Sequence, residues 1–222
     1  MGIKEFLQNL RALELKDSFN PYCDVCPTAD KADAPKIRTE MLERTLEKAV
    51  QSEVDSLWLG RDLGYRGGRR TGLALTDEYH LMHHGRRWGV ETEKATINGV
   101  VQEQTARAVW ELLELVKKPV FAWNVYPLHP FPAGTPFANR AHTPRERRIG
   151  EDVLRTLIDL IQPMRIVAIG NDAGLSANRL SGCEIDVAVV RHPSYGGGKK
   201  FRESILELYG VQQRLGGIGE RG

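Results

Sequence analysis

Val54-Asp55-Ser56-Leu57-Trp58-Leu59 runs directly into Gly60-Arg61-Asp62-Leu63-Gly64-Tyr65-Arg66-Gly67-Gly68-Arg69-Arg70-Thr71-Gly72, an apolar run of strand length followed by a glycine- and arginine-rich turn. The pattern recurs near the C-terminus, where the run ending Ala188-Val189-Val190 meets Arg191-His192-Pro193-Ser194. Two further runs, Val120 to Trp123 and Ile166 to Ile169, end at Asn124 and at Gly170-Asn171. Each is rich in β-branched or aromatic residues and closes on turn formers, the signature of a short buried strand. Ligands of open α/β sheets bind beyond the carboxyl ends of the strands. Asp62, Asn124, Asn171 and His192 are therefore expected at one edge of one sheet.

The segments between these runs carry a helical period. Ala106, Val109, Leu112, Leu113 and Val116 share one face, and Ile149, Val153, Leu157, Ile158 and Ile161 share another. Thr143-Pro144-Arg145-Glu146 spells a capping box with proline at the first helical position. Earlier helices are expected over Ile3 to Leu13 and from Asp33-Ala34-Pro35 onward, the second turning Ile37, Met41, Leu42 and Leu46 inward. A last helix is expected over Lys199 to Tyr209, burying Phe201, Ile205, Leu206 and Leu208, with a frayed tail over 211–222. Alternation of strand and helix predicts a three-layer α/β/α sandwich around a central, mainly parallel four-stranded sheet. The whole chain reads as one domain, with N-terminal helices over 1–52 and a core over 54–209.

Val125 to Pro144 holds Pro127, Pro130, Pro132, Pro136 and Pro144, which predicts a long, stiff loop without regular structure. Such loops are usually functional, and this one starts beside Asn124. His83-His84-Gly85-Arg86-Arg87 reads as a solvated loop, Arg145, Arg147 and Arg148 as the wet face of a helix, and Asn171 and Asp172 as caps of the helix that follows.

A chain of 222 residues with 41% hydrophobic content can bury a sizeable core. Its net charge of +2 excludes a uniformly cationic coat, leaving only local basic patches for nucleic acid. Cys23, Cys26 and Cys183 are an odd set without an apolar leader, so a reducing, cytoplasmic setting is expected, and no run approaches membrane-spanning length. Cys23-x-x-Cys26 is at most half of a four-sulfur site, so free thiols and no metal or cofactor are expected. The glycine-rich turn favours a phosphate nearby through Arg66, Arg69 and Arg70, although it matches neither the dinucleotide fingerprint nor a nucleotide-triphosphate loop.

In spacing, Gly60 to Gly72 followed by Leu73 resembles the uracil-DNA glycosylase segment that begins G-Q-D-P-Y and closes with G-L. Arg191-His192-Pro193-Ser194 resembles the H-P-S motif of that superfamily, and Phe121-Ala122-Trp123-Asn124 resembles its strand ending in the asparagine that reads the base. The resemblance covers residues 54–209 in register. It implies that Asp62 stabilises the cationic sugar and orients water, that His192 stabilises the departing uracil O2, and that Asn124 reads the base edge. Gly60, Gly64, Tyr65 and Leu75 are implied around the base. Arg66, Arg69, Arg70, Ser194, Tyr195, Lys199, Lys200 and Arg202 are implied at DNA.

The chain departs from the pattern at three places. Gly64 stands where the uracil-specific branch has a thymine-excluding tyrosine, with Tyr65 one position on. Leu75 stands where many members stack an aromatic ring, and Gly196 where they carry an intercalating leucine. Tyr195, Phe131 and Tyr126 are the candidates to fill these roles. The expected protein is a monomeric glycosylase that excises uracil from single- or double-stranded DNA. The alternatives are wider base choice, including hypoxanthine or mismatched thymine, a non-catalytic nucleic-acid-binding module, and a phosphate-binding protein that uses the glycine-rich loop alone.

Overall fold

A computed structural model describes residues 1–180, 182 and 185–211. The tail expected to fray, from residue 212 on, and Cys183 lie outside the described residues. Among the described residues, six strands and eight helices follow in chain order: α1 (Ile3–Arg11), β1 (Ser18–Phe19), α2 (Ala34–Val50), β2 (Ser56–Asp62), α3 (Gly68–Thr71), α4 (Leu81–Trp88), α5 (Gln104–Leu113), β3 (Val120–Tyr126), β4 (His129–Pro130), α6 (Pro144–Ile161), β5 (Arg165–Ile169), α7 (Asn171–Leu180), β6 (Asp186–Val190) and α8 (Gly198–Leu208).

The central sheet has the order β3-β2-β5-β6 and every pair in it is parallel. Parallel sheets need cover on both faces, and both are covered here. Leu57, Leu59, Phe121, Trp123, Ile166 and Ala168 pack under α1, α2, α6 and α7. Trp58, Val120, Val167, Ile169 and Val190 pack under α5 and α8. The three-layer α/β/α sandwich expected from the alternation is the observed architecture.

The sheet order places a topological switch point where the chemistry was expected. From β2 the chain moves to one side to build β3, and from β5 it moves to the other to build β6. The carboxyl ends of β2 and β5 therefore flank a switch point, where ligands of such sheets bind. Pairing of β2 with β5 stops at Leu59↔Ala168, whereas pairing with β3 continues to Asp62↔Tyr126. Gly60, Arg61 and Asp62 thus project past β5, held on one side only.

The expected capping box is present: Thr143 Oγ1 accepts from the Glu146 amide at 3.2 Å and Glu146 Oε2 accepts from the Thr143 amide at 2.6 Å. Glu146 also grips Arg140 through two hydrogen bonds of 2.6 and 2.7 Å, a fork that locks the end of the proline-rich segment onto α6. Burial would raise the Glu146 carboxyl, but the Arg140 and Thr143 bonds outweigh it and bring it down to about 2.

Three local expectations differ from the structure. β2 and β3 each run three residues beyond their apolar cores, so Asp62 and Asn124 belong to strands rather than to the turns after them. The proline-rich stretch is not wholly irregular, because β4 pairs antiparallel with β1 and its two-residue length needs few amides that proline lacks. His83 to Arg87 lie within α4, where the His84 ring is buried and bonded to Thr45 Oγ1 at 2.9 Å. Burial drives the His84 pKa down to about 3, with Arg87 adding to the effect.

Candidate active site

Gly60 and Asn124 are register partners on β2 and β3, on the face covered by α5 and α8. A Cβ on Gly60 would overlap Asn124 Oδ1, and it would stand 3.0 Å from Leu75 Cδ2. Glycine is needed here because the amide of Asn124 occupies the space of a side chain. Leu75 holds its place with a positive φ of 55°. Asn124 is 2% exposed, and its Oδ1 has no hydrogen-bond partner among the described residues. A buried acceptor left unpaired costs about 1–3 kcal/mol, so such a group calls for a donor from outside the chain.

Asp62 ends β2 two residues further on, and both of its oxygens are engaged. Arg61 Nε donates to Oδ2 at 2.6 Å and His142 Nδ1 donates to Oδ1. An ionised carboxylate only accepts, so His142 carries its proton on Nδ1. The Asp62 and His142 side chains are both 8% exposed. Arg61 also donates to Asp172 Oδ2 at 3.1 Å, tying the end of β2 to the first turn of α7 across the crevice.

His192 follows β6 and rests against Gly170, whose φ of 94° suits only glycine; a Cβ there would come within 3.4 Å of His192 Cβ. The Ser194 amide donates to His192 Nδ1 at 3.1 Å. Nδ1 is therefore the acceptor, and the neutral ring carries its hydrogen on Nε2. Burial, with Arg61 and Arg191 adding to it, lowers the His192 pKa below the usual histidine value. The result is a neutral imidazole whose Nε2–H has no partner among the described residues.

Several residues expected at DNA or base are used otherwise. Arg69 is 6% exposed, donates to the Pro136 carbonyl at 2.6 Å, bonds His129 Nδ1 at 3.0 Å and stacks 3.9 Å over Phe19. Arg70 pairs with the fully buried Glu78 at 3.1 Å and donates to Thr96. Both arginines lock the glycine-rich turn to the rest of the protein and are not free for phosphate. Tyr126 is fully buried with its hydroxyl on Ser18, and Phe131 packs on the Phe19, Cys26 and Ala29 cluster, so neither can enter a duplex.

Other expected residues remain available. Arg66 is exposed over the Tyr65 ring and donates to its hydroxyl at 2.7 Å. Tyr195 is 99% exposed with a φ of 53°, a strained posture at the tip of the turn after β6. Lys199 and Lys200 are exposed in the first turn of α8. A groove between α5 and α8 is lined by Ser194, Lys199 and Arg202 together with Arg107, a cation that sequence reading did not single out.

Two residues, one bonded to Asp62 and one against the glycine-rich turn after it, were not singled out from the sequence. His142 lies 80 residues from Asp62, and the only sequence signal for it was the functional character of a long loop starting beside Asn124. Glu103 immediately precedes α5, and its carboxyl oxygens fill the space above Gly64 and Gly67. Burial chiefly, and the neighbouring Asp77 next, push its carboxyl up to about 7 against the pull of Arg66.

No protein-family model matches the chain, and no curated protein matches it in sequence. Among solved structures, wild-type SMUG2 of Pedobacter heparinus superposes with a TM-score of 0.61 at 12% identity, over 94% of this chain and 96% of that one. The chain has the fold of SMUG2. SMUG2 belongs to the uracil-DNA glycosylase superfamily, so the sandwich described above is a uracil-DNA glycosylase-like fold. In this chain Asp62 and Asn124 lie on β2 and β3 and His192 just after β6, three strands of one parallel sheet at or beside its switch point.

Proposed function

We propose that this protein is a DNA glycosylase that extrudes uracil from DNA and hydrolyses its N-glycosidic bond, leaving an abasic site. The observation that carries the proposal is the buried Oδ1 of Asn124, beside Gly60 on the neighbouring strand and without a hydrogen-bond partner among the described residues. It suits N3–H of uracil, while the same amide's N–H donates to O4; cytosine presents the opposite pattern and would leave both groups unpaired.

The remaining groups fit the charges of the reaction. The bond between C1′ and N1 breaks with its electron pair leaving on the base. The sugar becomes cationic, and a water oxygen adds to C1′. Asp62, held in place by Arg61 and His142, stabilises the sugar cation, orients the water and accepts its proton. His192 Nε2–H meets the negative charge that gathers on O2. Because the ring is already neutral, it donates a hydrogen bond without having to lose a proton first. The exposed cations Arg66, Lys199 and Lys200 and the Arg107 and Arg202 groove suit the phosphates on either side.

The test is base release from matched oligonucleotides carrying uracil, hypoxanthine or mismatched thymine, developed with alkali. Uracil release is expected, and intact strands in all three lanes would leave a non-catalytic binding module. Asn124→Asp is expected to lower kcat/KM for uracil by about 10²-fold, since the carboxylate cannot donate to O4. Unchanged uracil release would remove Asn124 from base recognition. Tyr195, exposed at the tip of the turn after β6, is the residue assigned to fill the gap left by the flipped base. Tyr195→Ala is expected to slow excision from duplex about 10-fold while sparing single strands, matching the worth of one stacked aromatic ring; equal loss on both would place Tyr195 elsewhere.

A further inference from the structure

A pyrimidine seated as proposed has one edge unaccounted for. His192 faces O2, Asn124 faces N3 and O4, and Asp62 faces the sugar, so C5 and C6 must face the glycine-rich turn that follows Asp62. That turn offers no side chain at Gly64 or Gly67. A Cβ added to Gly64 would overlap Glu103 Oε1, and one added to Gly67 would overlap Oε2.

We propose, resting on the glycosylase reading above, that the Glu103 carboxyl forms the pocket wall missing at position 64 and rejects pyrimidines substituted at C5. Glu103 comes from a different part of the chain, just before α5, and its backbone is fixed there. Its amide donates to Asp77 Oδ2 at 2.6 Å, and Asp77 is fully buried and also holds the His80 ring at 2.6 Å. Neither carboxyl oxygen of Glu103 is hydrogen-bonded among the described residues. A methyl group pressed against them would remove their hydration and return nothing, while a hydrogen at C5 leaves room for water. The charged groups nearest the carboxyl are Asp77 and Arg66; burial chiefly, and then Asp77 against the pull of Arg66, brings its pKa up to about 7. It is polar in either state, so the wall stands throughout.

The experiment measures kcat/KM for uracil, 5-bromouracil and thymine in otherwise identical strands, with wild type, Glu103→Gln, Glu103→Asp and Glu103→Ala. Bromine matches a methyl group in size but makes the base a better leaving group, which separates fit from reactivity. Wild type and Glu103→Gln are expected to prefer uracil strongly. Glu103→Ala is expected to raise the bromouracil-to-uracil and thymine-to-uracil ratios at least about 10-fold, the worth of one methyl-sized fit. Glu103→Asp, which empties less space and keeps the charge, should fall between them. Adding Gly64→Tyr to Glu103→Ala is expected to restore the preference, since the ring takes the vacated space. Ratios unchanged in both Glu103→Ala and Glu103→Asp overturn the assignment while leaving the glycosylase intact. Absence of uracil release by the wild type overturns the glycosylase reading itself.

Discussion

Asp62→Ala is expected to lower kcat for uracil excision by about 10³-fold, within the range known for a positioned acid or base, with little change in DNA affinity. Asp62 sits at the last residue of β2, where the strand has outrun β5 and one edge faces the crevice. Arg61 and His142 each occupy one lone pair of its carboxylate, leaving further acceptor capacity on each oxygen for a water. Those two contacts hold the carboxyl group oriented before substrate arrives, so its loss removes a group that matters only as the sugar becomes cationic. Asp62→Asn keeps the shape and removes the charge, and it should lose nearly as much. Single-turnover rates on saturating uracil-containing DNA check both variants. A loss under tenfold would assign cleavage to other groups.

His192→Ala is expected to lower kcat by about 10²–10³-fold, the usual cost of removing one donor to a developing oxyanion. Binding of uncleaved DNA should stay within a few-fold, because the hydrogen bond strengthens only as O2 gains charge. Equal losses of binding and rate would mark His192 as a structural residue. The ring's own titration offers a second check, read by NMR. Burial and the Arg61 and Arg191 charges disfavour the imidazolium, so the ring is protonated only below the ordinary value of about 6.5. Folding stability linked to this neutral ring is present above the unfolded-state pKa and falls as pH drops through the folded one. Substituting Arg61 by glutamine should move the titration upward.

The places of Asp62, Asn124 and His192 on or just after strands of one sheet were legible, because strands of a parallel sheet announce themselves as short apolar runs. The lengths of β2 and β3 were not: Gly60 to Asp62 pair through backbone bonds that do not depend on apolar side chains, and the buried Val125 and Tyr126 stand just before Pro127 in a stretch whose prolines read as a loop. His83 to Arg87 looked solvated by composition, yet α4 buries His84 because Thr45 supplies a partner from α2. Arg69 and Arg70 looked like phosphate ligands by their neighbours in sequence. Their real partners, His129, Pro136 and Glu78, come from distant or following segments that leave them no free face.

Read alone, the order of residues determined the alternation of strand and helix, the parallel sheet and the edge at which polar groups gather, because side-chain period and turn chemistry act over a few neighbours. Only the folded chain decided that His142 grips Asp62, that Glu103 stands over Gly64, and that Asn124 keeps an acceptor without a partner among the described residues. Those contacts join segments tens of residues apart, and the burial that sets their energies exists only once the layers have packed.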